Sequence, residues 1–184
     1  MELHSEILEQ SFYLRGLHVS DASLTYLSWL NDPEINQFLE VRLNPPRTLT
    51  DLKTFIRSCA ENQHTLLLGI FLLDADVHIG NVKFGQINSN HKTADLGFLI
   101  GDKALWGKRY ASRAIKLASN FGFKNLGLEK ITAGAAAENI GSQKALVNAG
   151  FALEGVLRSQ SIIGRARQDG YLYGILKADD YEKD

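Results

Sequence analysis

Residues 94–123 read ADLGFLI, GDKALWGKRY, ASRAIKLASNFGF, and this stretch organises the rest of the chain. Apolar and polar residues alternate from Ala94 to Ile100, as in a strand with one buried face. A turn containing Gly101 and Gly107 follows, then an amphipathic helical pattern over about 110–123. A turn that opens straight into a helix aims several main-chain N–H groups and the positive end of the helix dipole at one point. That arrangement suits an anion such as a phosphate. Charge agrees with geometry. Between Asp102 and Lys116 the chain carries Lys103, Lys108, Arg109, Arg113 and Lys116 against the single Asp102, a local +4 in a chain of net charge −1. A basic island in an otherwise acidic protein points to a polyanionic ligand.

A length of 184 residues is that of one domain with a sizeable core, read here as residues 1–184 with its folded core at about 12–176. The hydrophobic share of 45% and charged share of 22% exclude a disordered chain. Without a net basic excess, extended nucleic-acid binding is not expected. Cys59 is the only cysteine, so an internal disulfide and a cysteine-based zinc cluster are both excluded. Its helical setting reads as packing. His4, His18, His64, His78 and His91 lack close ligand spacing, so no metal is expected. The opening MELHSEILEQ lacks the basic start of a signal peptide, and no window approaches 18 consecutive apolar residues. The expected address is the cytoplasm, away from membranes.

Working outward, residues 12–19 read as a first strand, and Ser20 or Asp21 as the cap of a helix to about Leu30 with Leu24, Leu27 and Leu30 on one face. Asp32–Pro33 restarts a short helix, with Asp at the cap and Pro at the first helical position. Pro45–Pro46 makes residues 42–48 irregular, and Thr50 caps a helix to about Asn62. Leu66–Leu73 is nearly all apolar, the mark of a strand buried on both faces. Turns at 74–76 and 88–90 bracket a strand over 77–88, where alternation is imperfect around Gly80 and Gly85. A strand over 93–100, a helix over 110–123, a strand over 130–136 and a helix over 140–149 ended by Gly150 follow. Strands over about 151–163 and 167–176 complete the order β-α-α-α-β-β-β-α-β-α-β-β. Antiparallel hairpins come first, and the crossover through the 110–123 helix makes two strands parallel.

That order, with this loop in this place, resembles the GNAT superfamily of acyl-CoA N-acetyltransferases over about residues 12–176. Its signature, Arg/Gln-x-x-Gly-x-Gly/Ala, falls on Trp106–Gly107–Lys108–Arg109–Tyr110–Ala111. Asn139-x-x-Ser142 followed by Asn148–Ala149–Gly150–Phe151 resembles a second landmark of the family. WLNDPEI at 29–35 and GVLR at 155–158 resemble the branch of ribosomal-protein N-terminal acetyltransferases. The implied fold is α/β (α+β), with a mixed, mostly antiparallel sheet of about seven strands flanked by helices and a splayed parallel pair at the fourth and fifth strands. The implied co-substrate is acetyl-CoA. Two positions depart from the signature: Trp106 replaces Arg or Gln, and Arg109 replaces the central Gly. If position 109 requires positive φ, Arg there adds strain of about 1–3 kcal/mol. Its guanidinium can instead fork onto the diphosphate.

The resemblance assigns the diphosphate to Trp106, Gly107, Lys108, Arg109, Tyr110, Ala111 and Ser112, largely through main-chain N–H groups. It assigns the pantetheine arm to Leu99, Ile100 and Gly101, with an amide near Leu99 or Ile100 receiving the thioester oxygen. The resemblance implies Asp95 as the base, since it falls where the histone acetyltransferase branch carries its carboxylate; it also breaks an apolar strand, where a carboxylate must be paired, hydrated or functional. A structural Asp, pairing with a neighbouring Lys or capping a hairpin, is the alternative. Glu138, Glu154 and Asp169 are rivals, and a water network needs no fixed base. Leu146 stands where many members carry a Tyr acid. Ser142 is the substitute donor to the departing sulfur, unless it merely caps its helix. Asn139 either bonds the cofactor or caps that helix, and Tyr171 and Tyr173 are alternative acids or sheet packing.

An α-amine of pKa near 8 is about a tenth deprotonated at pH 7, whereas neutralising a lysine amine costs about 4.6 kcal/mol. A protein N-terminal α-amine is therefore the first acceptor. The alternatives are a small amine (polyamine, amino sugar or amine antibiotic) and a non-catalytic acyl-CoA-binding module. Asp32, Glu34 and Glu40 form a modest acidic cluster that either serves a polyamine or is a solvated helix face. A homodimer is left open by the sequence.

Overall fold

The computed structural model describes residues 7–181. The strands are β1 (Ile7–Leu8), β2 (Phe12–Gly16), β3 (Leu66–Leu72), β4 (His78–Asn88), β5 (Thr93–Ile100), β6 (Lys130–Ala136), β7 (Ala152–Ile163) and β8 (Ala166–Leu176). The helices are α1 (Leu24–Asn31), α2 (Pro33–Asn36), α3 (Leu49–Glu61), α4 (Tyr110–Asn125), α5 (Ile140–Asn148) and α6 (Lys177–Tyr181). All eight strands form one sheet in the order β1-β2-β3-β4-β5-β6-β8-β7. Every neighbouring pair is antiparallel except β5–β6. The eighth strand is β1, too short at two residues to show a period in the sequence.

Alternation sorts the strand residues onto two faces. Leu66, Leu68, Val82, Phe84, Ala94, Leu96 and Ile131 pack with Ala114, Ile115 and Ala118 of α4 and Leu146 of α5. Tyr13, Leu67 and Phe71 turn the other way, toward Tyr26, Trp29 and Leu30 of α1 and Leu52, Ile56 and Cys59 of α3, with Leu99 packed alongside. The strand expected over Leu66–Leu73 runs from Leu66 to Leu72 and is buried on both faces, and Cys59 is packed in the α1–α3 cluster.

Helix starts differ from the sequence expectation. The cap of α1 is Ser23, whose hydroxyl accepts the Tyr26 N–H at 3.1 Å, and residues 19–21 form a 3-10 turn instead. Asp21 is drawn off by Arg15, which it receives through two 2.8 Å bonds. Leu24 is consequently 72% exposed, and the buried face of α1 is Tyr26, Trp29 and Leu30. Thr48, not Thr50, caps α3 in a reciprocal box with Asp51. The first strand stops at Gly16, because the chain turns at Val19. Residues 40–43 make a 3-10 turn ahead of the prolines. Asp32 caps α2 with Pro33 at its start, and Gly150 takes φ 100° past α5, both as expected.

Two irregularities shape the middle of the sheet. A bulge between Gly85 and Asn88, with Gln86 at φ 50°, interrupts the β4–β5 ladder and accounts for the imperfect alternation there. The β5–β6 pairing covers only Thr93–Lys130, Ala94–Ile131 and Asp95–Thr132. Beyond Asp95 the two strands run on to Ile100 and Ala136 unpaired with each other, which opens the sheet.

Candidate functional site

The opening between β5 and β6 leads directly to the start of α4. Gly101 donates its N–H to the Ile79 carbonyl at 2.9 Å, continuing the β4 ladder one residue past the strand. Antiparallel pairing alternates the direction of main-chain groups. Leu99 and Gly101 therefore turn theirs toward β4, while Phe98 and Ile100 turn theirs toward the gap. Trp106 reaches back, and its indole N–H donates to the Ile100 carbonyl at 2.8 Å. This bond gives Trp106 a local task at the first signature position: it pins the turn to the strand end. No Cβ fits at Gly101, because one there would overlap the Trp29 ring.

The turn itself is a cradle of amides. Gly107 has φ 75° and Arg109 has φ 65°, both left-handed. Among the described residues, nothing accepts the main-chain N–H of Gly107, Arg109, Tyr110, Ala111 or Ser112. Regular helix bonding resumes with Arg113 N–H to the Arg109 carbonyl at 3.1 Å, and the Ser112 hydroxyl donates to that same carbonyl. Orphan donors at a helix start are where an anion binds. The positive φ at Arg109 is the strained case anticipated above. Only glycine adopts this conformation without cost, and the arginine side chain is left exposed beside the amides.

The basic island is partly spent elsewhere. Lys103 bonds Asp32 at 2.7 Å and Glu34 at 2.5 Å, tying the turn to α2. Arg113 pairs with Glu9 and lies over the Phe12 ring. Lys108, Arg109 and Lys116 have no ion pair among the described residues, so the charge beside the cradle comes from these three, a smaller reserve than the local +4.

Asp95 sits where the gap begins, opposite Gly85 at the edge of the bulge and paired with Thr132 on β6. It faces the α1–α3 side, half-buried. Burial raises its pKa above the ordinary aspartate value, and the Thr132 hydroxyl and the charge of Lys83 offset part of that rise. The Thr132 oxygen lies 3.4 Å from both Asp95 Oδ1 and the Ala94 carbonyl. Gly97 and Gly134 flank Asp95 on this face, and a Cβ added at either would meet nothing within 4 Å. The result is an open, glycine-floored trough with a carboxylate at its head.

Asn139 caps α5, its side chain accepting the Ser142 N–H at 3.1 Å. The cap is thus Asn139, and the Ser142 hydroxyl is not used for capping. Leu146 is fully buried and Tyr173 is 4% exposed in the core, with Tyr171 packed against it. Of the rival acids, Glu154 pairs with Lys130 at 2.8 Å and Asp169 accepts the Ser159 N–H at 2.7 Å, while Glu138 is exposed. Glu40 pairs with Arg42 at 3.5 Å, while Asp32 and Glu34 share the single Lys103. Among the described residues no group of His, Cys, Asp and Glu converges as a metal would need, and His4 lies outside them. No helix among them is long and apolar enough to cross a membrane. Lys83 and Thr132 also neighbour the site, and Trp29, at the head of the WLNDPEI segment, packs on Gly101. Lys83 left a trace in the sequence, a lysine between the buried Val82 and Phe84.

A family model for the GNAT acetyltransferase domain matches residues 11–152. Among curated proteins, a "Probable N-acetyltransferase YjcK" of Bacillus subtilis (strain 168) is 31% identical over 176 residues, covering 93% of this chain and 97% of the relative. An "Uncharacterized N-acetyltransferase p20" of Bacillus licheniformis is 27% identical over 165 residues, 89% of this chain and 92% of that one. Among solved structures, a spermidine N-acetyltransferase from Vibrio cholerae in complex with CoA and spermine superposes with a TM-score of 0.83 at 23% identity, covering 93% of this chain and 98% of the other. A GNAT-family acetyltransferase from Bacillus anthracis gives 0.80 at 21% identity, covering 95% and 99%. At these identities the two structures speak to fold.

Proposed function

The chain belongs to the GNAT family of acetyl-CoA-dependent N-acetyltransferases, and from that premise we propose that it acetylates an α-amine, with Asp95 as the base. The observation that carries the reading is the set of unaccepted amides at Gly107 and at Arg109–Ser112, at the mouth of the gap that Asp95 heads. The residues present fit acetyl-CoA: a turn of orphan donors with Lys108 and Arg109 beside it suits a diphosphate. The main-chain groups of Phe98 and the N–H of Ile100, left without a β6 partner by the parting of the strands, suit the amide-bearing arm.

Bound acetyl-CoA supplies an activated acetyl thioester. Asp95 takes a proton from the arriving ammonium, so that nitrogen presents its lone pair to the thioester carbon. Its raised pKa makes it a stronger base than an ordinary aspartate. The Ile100 N–H, directed into the gap, stabilises charge on the thioester oxygen. The Ser142 hydroxyl, on the first turn of α5 and free of capping duty, donates to the departing sulfur. Asn139 holds that turn in place.

An α-amine needs less help from the base than a lysine amine does. A polyamine acceptor is the second reading, suggested by the spermine-bound fold neighbour. It is disfavoured by the engagement of Asp32, Glu34 and Glu40 with Lys103 and Arg42. Family membership also sets aside a module that only binds. An acetyl-CoA consumption screen over N-terminal peptides, amino acids, amino sugars and polyamines tests the proposal. Turnover is expected with α-amines, and turnover confined to polyamines overturns it.

A further inference from the structure

We infer that the acceptor amine carries its own acidic group, which Lys83 receives beside Asp95. This deepens the acetyltransferase reading and rests on it.

Lys83 and Asp95 lie on the same face of neighbouring strands, one diagonal step apart, since Lys83 pairs with Gly97 and Asp95 with Gly85. The Lys83 stem runs over Gly85, its Cε 3.8 Å from where a Cβ there would stand. Its ammonium is 6.0 Å from the centroid of the Phe55 ring on α3. Among the described residues no carboxylate lies within 4.0 Å of that ammonium, and nothing accepts a hydrogen bond from it. Lys83 is half-buried, its charge reaches Asp95 without a direct bond, and its three donors face the open trough unused. Gly97 and Gly134 leave room there for a small group.

The surrounding charges agree. The β7–β8 hairpin extends beyond the Ala136–Gly170 pair that ends β6. It carries Arg158, Arg165 and Arg167 against Asp169, whose carboxylate is taken by the Ser159 N–H. Arg42 reaches from the early helical region to the Ile162 carbonyl at 3.0 Å, which closes the hairpin against that region. On the early helical region Asp32 and Glu34 share Lys103, and Glu40 holds Arg42. An acceptor bearing an ammonium and a carboxylate finds Asp95 for the first and Lys83 for the second. Diagonal neighbours on adjacent strands stand roughly 7 Å apart at Cβ, which fits both groups on one small molecule or one peptide terminus.

The test compares kcat/KM for matched acceptors in the wild-type enzyme and in Lys83→Met and Lys83→Arg. Ala-Asp-Ala-amide against Ala-Asn-Ala-amide probes an acidic peptide terminus, and L-glutamate against L-glutamate diamide probes a free amino acid. Wild-type enzyme is expected to favour the acidic member of at least one pair by about tenfold or more, the scale of a hydrogen bond to a charged group. Lys83→Met should bring that ratio to about one through KM, while Lys83→Arg keeps most of it. Which pair shows the preference identifies the source of the acid. Equal use of acidic and neutral members by wild type overturns the inference yet leaves the acetyltransferase reading standing. So does an acid preference that survives in Lys83→Met. Absence of transfer to all four acceptors overturns it too, and calorimetry with acetyl-CoA then tells whether the donor site itself fails.

Discussion

Replacing Arg109 with glycine separates strain from charge at one position. Arg109 is held at φ 65°, ψ 10° as the cap of α4. A left-handed conformation costs a residue with a Cβ about 1–2 kcal/mol, which glycine does not pay. Glycine gives back about 0.4–1 kcal/mol through the greater freedom of the unfolded chain. The balance is a gain of roughly 0.5–1 kcal/mol, and for a chain of 150–250 residues each kcal/mol moves Tm by about 2–4 °C. Arg109→Gly should therefore melt about 1–4 °C higher without ligand. The same change removes an exposed guanidinium beside the amide cradle. Losing a charge-assisted bond of about 1.5–3 kcal/mol weakens acetyl-CoA binding by about 10- to 100-fold. Arg109→Ala is the control: it keeps the strain and loses the charge, so its affinity should match Arg109→Gly while its Tm stays near wild type. Scanning calorimetry of the free proteins and titration calorimetry with acetyl-CoA read the two effects separately. A lower Tm for Arg109→Gly would contradict the strain argument. An unchanged Kd in both variants would remove Arg109 from the diphosphate site.

Asp95→Asn should lower kcat by about 10²- to 10⁴-fold with the acetyl-CoA Kd unchanged, and comparable turnover would eliminate Asp95 as the base. Because the folded pKa of Asp95 is raised, its contribution to stability is complete below the ordinary aspartate value and is lost as pH rises through the folded one. At pH 7 Asp95→Asn should accordingly melt higher than wild type; an equal or lower Tm would say that burial does not penalise the charge. Gly101→Ala should cost about 1–3 kcal/mol by driving a methyl group into Trp29, seen as a fall in Tm, and an unaffected Tm would mean that α1 is not seated on that turn. His78 is packed among Tyr26, Trp29 and Phe71 with its Nε2 2.9 Å from the Gly80 carbonyl, and burial lowers its pKa below 6.5. Asp21 works against that lowering and Arg15 with it. The stability this neutral ring confers is therefore full above pH 6.5 and lost as pH falls through the folded value. Tm measured from pH 8 to 5 should drop less steeply in His78→Gln than in wild type, and parallel curves would contradict the assignment.

Long periodic elements were readable in advance because period and burial coincide in them. The strand 93–100, the helix beginning at Tyr110 and the strand 130–136 fall where alternation and helical spacing place them. Caps depend on tertiary contacts: the sequence points to Ser20 or Asp21, and Ser23 takes the position. The Arg15–Asp21 pair took Asp21 out of contention. The cradle was visible as glycine and charge, but counting cations could not show that Lys103 and Arg113 answer to acids at Asp32, Glu34 and Glu9, which are remote in sequence. Nor could spacing along one strand reveal Lys83 beside Asp95, because that neighbourhood depends on the register of β4 against β5. The stacking of Trp29 on Gly101 joins residues 72 positions apart and leaves no local pattern at all.

Amide chemical shifts offer the most direct look at the donor site. Titrating isotopically labelled protein with coenzyme A, and separately with pantetheine, which lacks the diphosphate, isolates what the cradle recognises. The amide resonances of Gly107, Arg109, Tyr110, Ala111 and Ser112 should move on addition of coenzyme A and stay nearly still with pantetheine. Saturable binding of coenzyme A that leaves those five amides unmoved would place the diphosphate elsewhere and contradict the account.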